Sequence, residues 1–329
     1  MTDTTPSPDP ASPPDAPRRS PARVAGLVRQ AGVLMALVLL VIVSAVLSDR
    51  FLSLPNLLNV LRQVSIVGIL AVGMTFVILT KGIDLSVGSL LGVAVVIIAA
   101  VLETQSAAVA IPLGLGAAMA LGLVNGLGVA FAGIPPFIMT LGMLSFARGL
   151  GFIFTGGTPI PILDEGFYEL GNGYLLGVPN PTWIFAAVLL ASGVVLALTP
   201  FGRSVYAIGS NEDAARLSGV PVRAYTVLVY VISGIVSGIA GLVYASQLSV
   251  GTPIAGQGYE LDAIAAVVVG GTSLFGGRGS VGGTLIGTLI IGVLANILNL
   301  TGVDPFVQQL FKGALIVLAV FIMTRAERL

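Results

Sequence analysis

The chain has 329 residues, of which 56% are hydrophobic and only 9% charged, with zero net charge and a mean hydropathy of +1.03. Soluble globular proteins carry about 25% charge, so this composition excludes a water-soluble fold and predicts an all-α polytopic membrane protein. Zero net charge leaves no basic field for nucleic acid, and the absence of Cys and His removes thiol chemistry, disulfides, imidazole catalysis and most transition-metal sites.

In chain order, residues 1–30 read as a disordered tail rich in Pro, Ser, Asp and Thr, closing on Arg18, Arg19, Arg23 and Arg29. A single membrane domain, residues 31–329, follows. Its first span is Ala31–Leu47, too long and wrongly flanked for a cleaved signal peptide. Ser53-Leu54-Pro55 has the form of a helix start, with Ser53 as N-cap and Pro55 in the first turn. Leu57, Leu58 and Leu61 share a face, which predicts a short interfacial helix before the second span, Val64–Thr80. Lys81–Ser86 breaks the pattern, and Val87–Leu102 is the third span. Ala107–Phe131 and Phe137–Phe154 are the fourth and fifth, joined through Gly133-Ile134-Pro135-Pro136. A polar loop, Thr155–Pro181, carries Asp164, Glu165 and Glu169 but no Lys or Arg. Thr182–Leu198 is the sixth span and Tyr225–Leu248 the seventh. Glu260–Gly271 is a short apolar run, Thr272–Ser280 is glycine-rich, and Val281–Leu300 and Phe306–Met323 end the series.

Glu260–Gly271 decides the count, because about 12 residues are short for a span. If it crosses, the basic residues collect on one side, with only Arg50 and Arg62 opposite and Arg148 and Lys312 inside spans. If it does not, Arg325 and Arg328 change sides, against the positive-inside rule. About ten spans are therefore expected, some broken or short. The eighth is extended to about Phe275, and both termini are cytoplasmic.

Three interruptions carry functional interest. In Lys81–Ser89, Gly82 loosens the helix, and Asp84 or Ser86 can cap the next one. This is either a discontinuous helix lining a solute path or an ordinary turn with Asp84 as a cap. Gly270–Gly283 is a weak phosphate-loop candidate or a tight inner turn. Nowhere does G-x-x-x-x-G-K-[ST] occur, so the chain has no P-loop. Arg148 faces either protein or a cavity, or snorkels to the interface, and Lys312 poses the same choice. Glycine pairs such as Gly88/Gly92, Gly122/Gly126 and Gly234/Gly238 point to close packing between helices of this chain.

The third interruption, residues 200–224, is longer than a turn requires. Asn211 or Ser210 can cap a helix over Glu212–Leu217, with acidic residues in its first turn. Gly219 can end it, and Pro221 follows. The candidates are a short cytoplasmic helix held by a partner and a solvated connecting loop.

Here the residues resemble a known family. GRSVYAIGSNEDAARLSGVPV is similar to the coupling segment of membrane permeases from ribose-type (simple-sugar) ATP-binding-cassette importers, the binding-protein-dependent inner-membrane components. GMTFVILTKGIDLSVGSL, PPFIMTLGMLSFARGL and VVVGGTSLFGGRGSVGGTLIG look like the same family, in the same order, from about Phe51 to Val320. Lys81 departs from the pattern, where a small or neutral residue is expected. The resemblance implies a monosaccharide importer subunit in the cytoplasmic membrane with no catalytic site and no cofactor. ATP would be used by a separate ATPase with tandem nucleotide-binding domains. An extracytoplasmic sugar-binding protein and a second permease subunit, by default a copy of this chain, would complete the assembly. Asn211, Glu212, Asp213, Ala214, Ala215, Arg216, Leu217, Ser218 and Gly219 would engage the ATPase. Gly82, Asp84, Ser86, Thr140, Gly271 and Thr272 are the candidates for the translocation path. An ion-coupled secondary transporter is the alternative; it needs a buried carboxylate near the midplane, and Asp84, near the inner end, is the one candidate.

Overall fold

The computed structural model describes residues 21–328. Helix α1 is Pro21–Leu47, α2 Leu54–Leu79, α3 Val87–Leu102, α4 Ala107–Ala130 and α5 Pro136–Thr155. Strand β1 (Ile160–Pro161), α6 (Glu165–Asn172), β2 (Tyr174–Leu175) and β3 (Val178–Pro179) follow. Next come α7 (Asn180–Leu198), α8 (Pro200–Ser210), α9 (Glu212–Leu217) and α10 (Val222–Leu248). Strand β4 (Val250–Gly251), α11 (Tyr259–Val269), α12 (Val281–Leu300) and α13 (Pro305–Arg328) complete the order. Among the described residues, six helices, α2, α4, α5, α7, α10 and α12, are long and apolar enough to cross a membrane. The apolar part of α1 and all of α3 are shorter, at 17 and 16 residues.

The centre of the bundle is α2, whose residues from Val64 to Leu79 are almost all buried against α10, α11, α12 and α7. Helix α10 packs in turn on α4 and α3. The glycine pairs act within the chain, as their spacing predicts. Gly122 and Gly126 of α4 lie against the α10 backbone at Tyr230 and Val227, and Gly234 lies against Ala118. A side chain at any of these sites would separate two helices that touch backbone to backbone. Large apolar side chains such as Val46, Ile153, Leu190 and Leu310 stay exposed on the outward faces, where hydrocarbon rather than water can meet them.

Several boundaries differ from the sequence expectations. Helix α1 is described from Pro21, ahead of the expected Ala31, and the rest of the expected tail, residues 1–20, lies outside the described residues. The separate interfacial helix does not exist: residues 54–79 form one helix. Two of the polar residues that make this stretch look like an interruption have tertiary partners. Asn56 and Asn296 exchange side-chain amide hydrogen bonds at 3.0 and 2.9 Å, and Arg62 Nη2 donates to Tyr174 Oη at 2.9 Å. The eighth run stops at Val269, short of the expected Phe275. Gly271 turns into the left-handed region (φ 91°), and its N–H bonds Val268 O at 2.8 Å, which closes the helix.

The polar loop after α5 is ordered. Asp164 caps α6, its Oδ1 accepting from Phe167 N at 2.7 Å. Helix α6 then docks on the end of α10, where Ser246 Oγ donates to Phe167 O and Asn172 Nδ2 donates to Ser246 O at 2.9 Å. Strand β1 pairs antiparallel with β4, and β2 with β3. The ends of α5 and α10 are thereby tied together under one cap.

Candidate functional site

Between α2 and α3 the backbone leaves helical geometry at residues 80–86, and the polar side chains there close on one another. Asp84 is fully buried. Its Oδ1 accepts from Ser86 N at 2.9 Å and Ser86 Oγ at 2.6 Å, and its Oδ2 accepts from Ser233 Oγ of α10 at 2.8 Å. Asn125 Nδ2 of α4 donates to Ser86 Oγ at 2.9 Å. From α5, Thr140 Oγ1 accepts from Leu85 N at 3.1 Å and lies 3.0 Å from Ile83 O. Three helices distant in sequence therefore satisfy a break that would otherwise leave free backbone groups in an apolar interior. Gly82 sits directly beside the Tyr230 hydroxyl.

Of the six expected path residues, Gly82, Asp84, Ser86 and Thr140 gather at this break. Gly271 and Thr272 lie in the turn before α12, where Thr272 packs against Gly279. Sequence reasoning missed Asn125, Ser233 and Tyr230, single polar residues in apolar runs that carried no local signal.

A second irregular segment, residues 249–258, leads from α10 into α11 and lies against the glycine face of α3. Gly88 meets Gly256 O and Glu260, and Gly92 meets Ala255 O. Arg148 of α5 spans this contact, its Nη1 donating to Pro253 O at 2.6 Å and Ala255 O at 2.7 Å. Arg148 therefore faces protein rather than snorkelling. Lys312 of α13 also faces inward, its Nζ 2.8 Å from Asp262 Oδ2 of α11.

Asp84 is thus not the one buried carboxylate: Asp262 is 7% exposed. Its partner is 50 residues away, but two lone opposite charges in apolar runs were a signal for such a pair. Breaking it strands a charge at a partly buried site. Lys312→Met is expected to lower stability by about 2 kcal/mol, below the fully buried case because Lys312 is one-third exposed. Lys312→Met combined with Asp262→Leu should recover most of that loss, measured by thermal unfolding in detergent.

The interruption after α7 forms two helices, α8 and α9. Thr199 caps α8, with Oγ1 accepting from Gly202 N at 3.2 Å. Asn211 caps α9, with Oδ1 accepting from Ala214 N at 3.0 Å. Gly219 ends α9 at φ 84°, a conformation costing about 1 kcal/mol or more for other residues. Ala215 is buried with Ile208 and Val222, whereas Glu212 and Arg216 pair on the exposed face at 2.5 Å and Leu217 is 90% exposed. The other end of α8 reaches the bundle. Gly209 lies against Leu79 O and Gly277 N, and Gly277 N donates to that same Leu79 carbonyl at 2.9 Å. Tyr206 Oη donates to Gly279 O at 3.0 Å, and burial pushes its phenol above the ordinary value, keeping the donor protonated. One short rod thus touches the end of α2 and the glycine turn before α12.

Membrane-length helices around a buried polar junction, joined to an exposed capped helix pair, define a polytopic membrane protein. The chain matches the family described as "Branched-chain amino acid transport system / permease component" over residues 56–320, and it belongs to that family. It is a multi-pass protein of the cytoplasmic membrane. It is 47% identical to the ribose import permease protein RbsC of Bacillus subtilis over 302 residues, covering 90% of this chain and 93% of the relative. It is 45% identical to RbsC of Escherichia coli K12, covering 92% and 96%, and 37% identical to the L-arabinose permease protein AraH of Azospirillum brasilense, covering 96% and 93%. No solved structure matches the chain.

Proposed function

We propose that this chain is the transmembrane subunit of an ATP-binding-cassette importer that carries a monosaccharide, ribose-like or another simple sugar, into the cell. The names of the relatives, ribose import and L-arabinose transport, support the sugar class. The carrying observation is α9: a capped helix with an exposed leucine and ion pair, on a chain without a P-loop. In this reading Asn211–Gly219 seats in a groove of a separate ATPase with tandem nucleotide-binding domains. The α8 rod passes its motion to α2 and to the turn before α12. An extracytoplasmic sugar-binding protein docks on the face bearing α6, a second copy of the chain completes the membrane core, and the chain itself needs no cofactor. Gly82, Asp84, Ser86 and Thr140 shape the path wall from behind, with Gly271 and Thr272 at the hinge of the inner turn.

The domain spans residues 31–329, with residues 200–224 as its coupling segment, and crosses ten times with both termini cytoplasmic. Two contacts support this count. The α2 end, α8 and the glycine turn meet on one face, while β1 and β4 join the α5 and α10 ends. Three helices separate the α2 and α5 ends, so these faces are opposite, and α11 runs between them. An ion-coupled mechanism fits less well, because Asp84 is already held by three donors and Asp262 by Lys312.

Energised vesicles lacking the ATPase but keeping their ion gradients should take up no ribose; sustained uptake would overturn the importer reading. Glu212→Arg, which opposes a like charge to Arg216 on the exposed face, should reduce ATPase recovered by pull-down at least ten-fold with an unchanged melting temperature. Gly219→Trp should lower the recovery as far by blocking the groove, with a melting temperature a few degrees lower because residue 219 holds a positive φ. A well-folded variant that still recovers the full amount of ATPase would remove α9 from the interface.

A further inference from the structure

Arg148 lies seven residues before the end of α5, about 10 Å into the span at 1.5 Å per residue. The two carbonyls of the 249–258 segment occupy only its Nη1. Its Nε and Nη2 bond to no described residue, and they are not among the enclosed polar atoms. The same holds for the hydroxyls of Tyr244 on α10 and Tyr259 at the start of α11, whose rings meet edge to face with centroids 6.1 Å apart. Arg148 lies within electrostatic reach of both Tyr244 and Glu260. Free donors at this depth are expensive against hydrocarbon, so this face meets water or a polar solute.

We propose that Arg148, Tyr244 and Tyr259 form a recognition site for a neutral, polyhydroxylated solute inside the translocation path, a reading that rests on the sugar-import function above. A guanidinium pinned through one nitrogen presents its remaining N–H groups in a fixed fork, which matches two neighbouring hydroxyl oxygens. The phenols add donor–acceptor groups, and their rings offer an apolar surface to the C–H face of a sugar. Glu260 lies within electrostatic reach of the guanidinium, which disfavours an anionic ligand beside it. The site bridges α5, α10 and α11, and the 249–258 segment that Arg148 grips packs on α3 just beyond its broken start. A bound solute would therefore sense the positions of the elements that must move.

The test uses the complete transporter in proteoliposomes, with binding protein and ATPase, fed D-ribose or 2-deoxy-D-ribose at saturating binding protein. A hydroxyl contact to a charged or phenolic donor is worth roughly ten-fold. Arg148→Lys and Tyr259→Phe should each change the ratio of ribose to deoxyribose uptake by about five-fold or more from wild type. Equal losses for both sugars, with the ratio unchanged, would mean a purely structural role and overturn the site. Tyr259→Phe keeps the ring packing, so it remains decisive if Arg148→Lys fails to assemble. Wild-type uptake of neither these two sugars nor other pentoses and hexoses would instead remove the importer reading on which the site rests.

Discussion

Gly209→Val is expected to abolish sugar uptake while the ATPase still binds. Gly209 is at the point where α8 meets the bundle, and any β-carbon there would overlap the Leu79 carbonyl and come within 2.5 Å of Gly277 N. Both obstacles are backbone, so no side-chain rotation relieves them. Either α8 lifts away from α2, or the Gly277–Leu79 hydrogen bond breaks. Overpacking of this kind costs roughly 1–3 kcal/mol, too little to unfold the chain but enough to separate α8 from the α2 end and the glycine turn. Helix α9 keeps its Asn211 cap and its exposed face, so pull-down of the ATPase should be near normal. Transport should fall by two orders of magnitude or so, if the strain of about 3 kcal/mol appears in the coupled step. Normal uptake by a Gly209→Val permease would show that motion reaches the spans by another route.

The second large effect is expected at Asp84. Asp84→Ala removes the acceptor of three hydrogen bonds at a fully buried position and strands Ser86 N and Ser233 Oγ in an apolar interior. Leaving a buried donor unsatisfied costs about 1–3 kcal/mol, so the total is on the order of 3 kcal/mol or more. Asp84→Asn keeps one carbonyl acceptor and should recover about half. Because the loss falls at the junction of α2, α3, α4 and α10, it should appear first as protease sensitivity near residues 80–86. A melting temperature within a degree of wild type for Asp84→Ala would mean the cluster does not hold the break.

The features legible in the sequence were those that depend on neighbours along the chain. Apolar runs long enough to cross a bilayer mark α4, α5, α7 and α12 to within a few residues. The cap at Asn211 and the stop at Gly219 follow from side-chain acceptors and positive φ, which involve three or four adjacent residues. The helical character of residues 212–217 was readable for the same reason, and so was the break at Lys81–Ser86. The continuity of α2 was not legible, because Asn56 and Arg62 look like interruptions until Asn296 and Tyr174 satisfy them.

The sequence by itself determined a polytopic membrane protein with an interruption at Lys81–Ser86, no P-loop motif and a capped helix between its sixth and seventh apolar runs. Composition forces the first of these, since so little charge cannot cover a water-facing surface. Only the tertiary structure decided what the buried polar residues do. Asp84 meets Ser233 across 149 positions, Lys312 meets Asp262 across 50, and Arg148 reaches carbonyls more than 100 residues away. In an apolar interior each such group must find a partner, but the identity of that partner is set by which helices pack together. That packing rests on backbone contacts at glycines such as Gly88, Gly122 and Gly209, which a linear reading detects only as spacing.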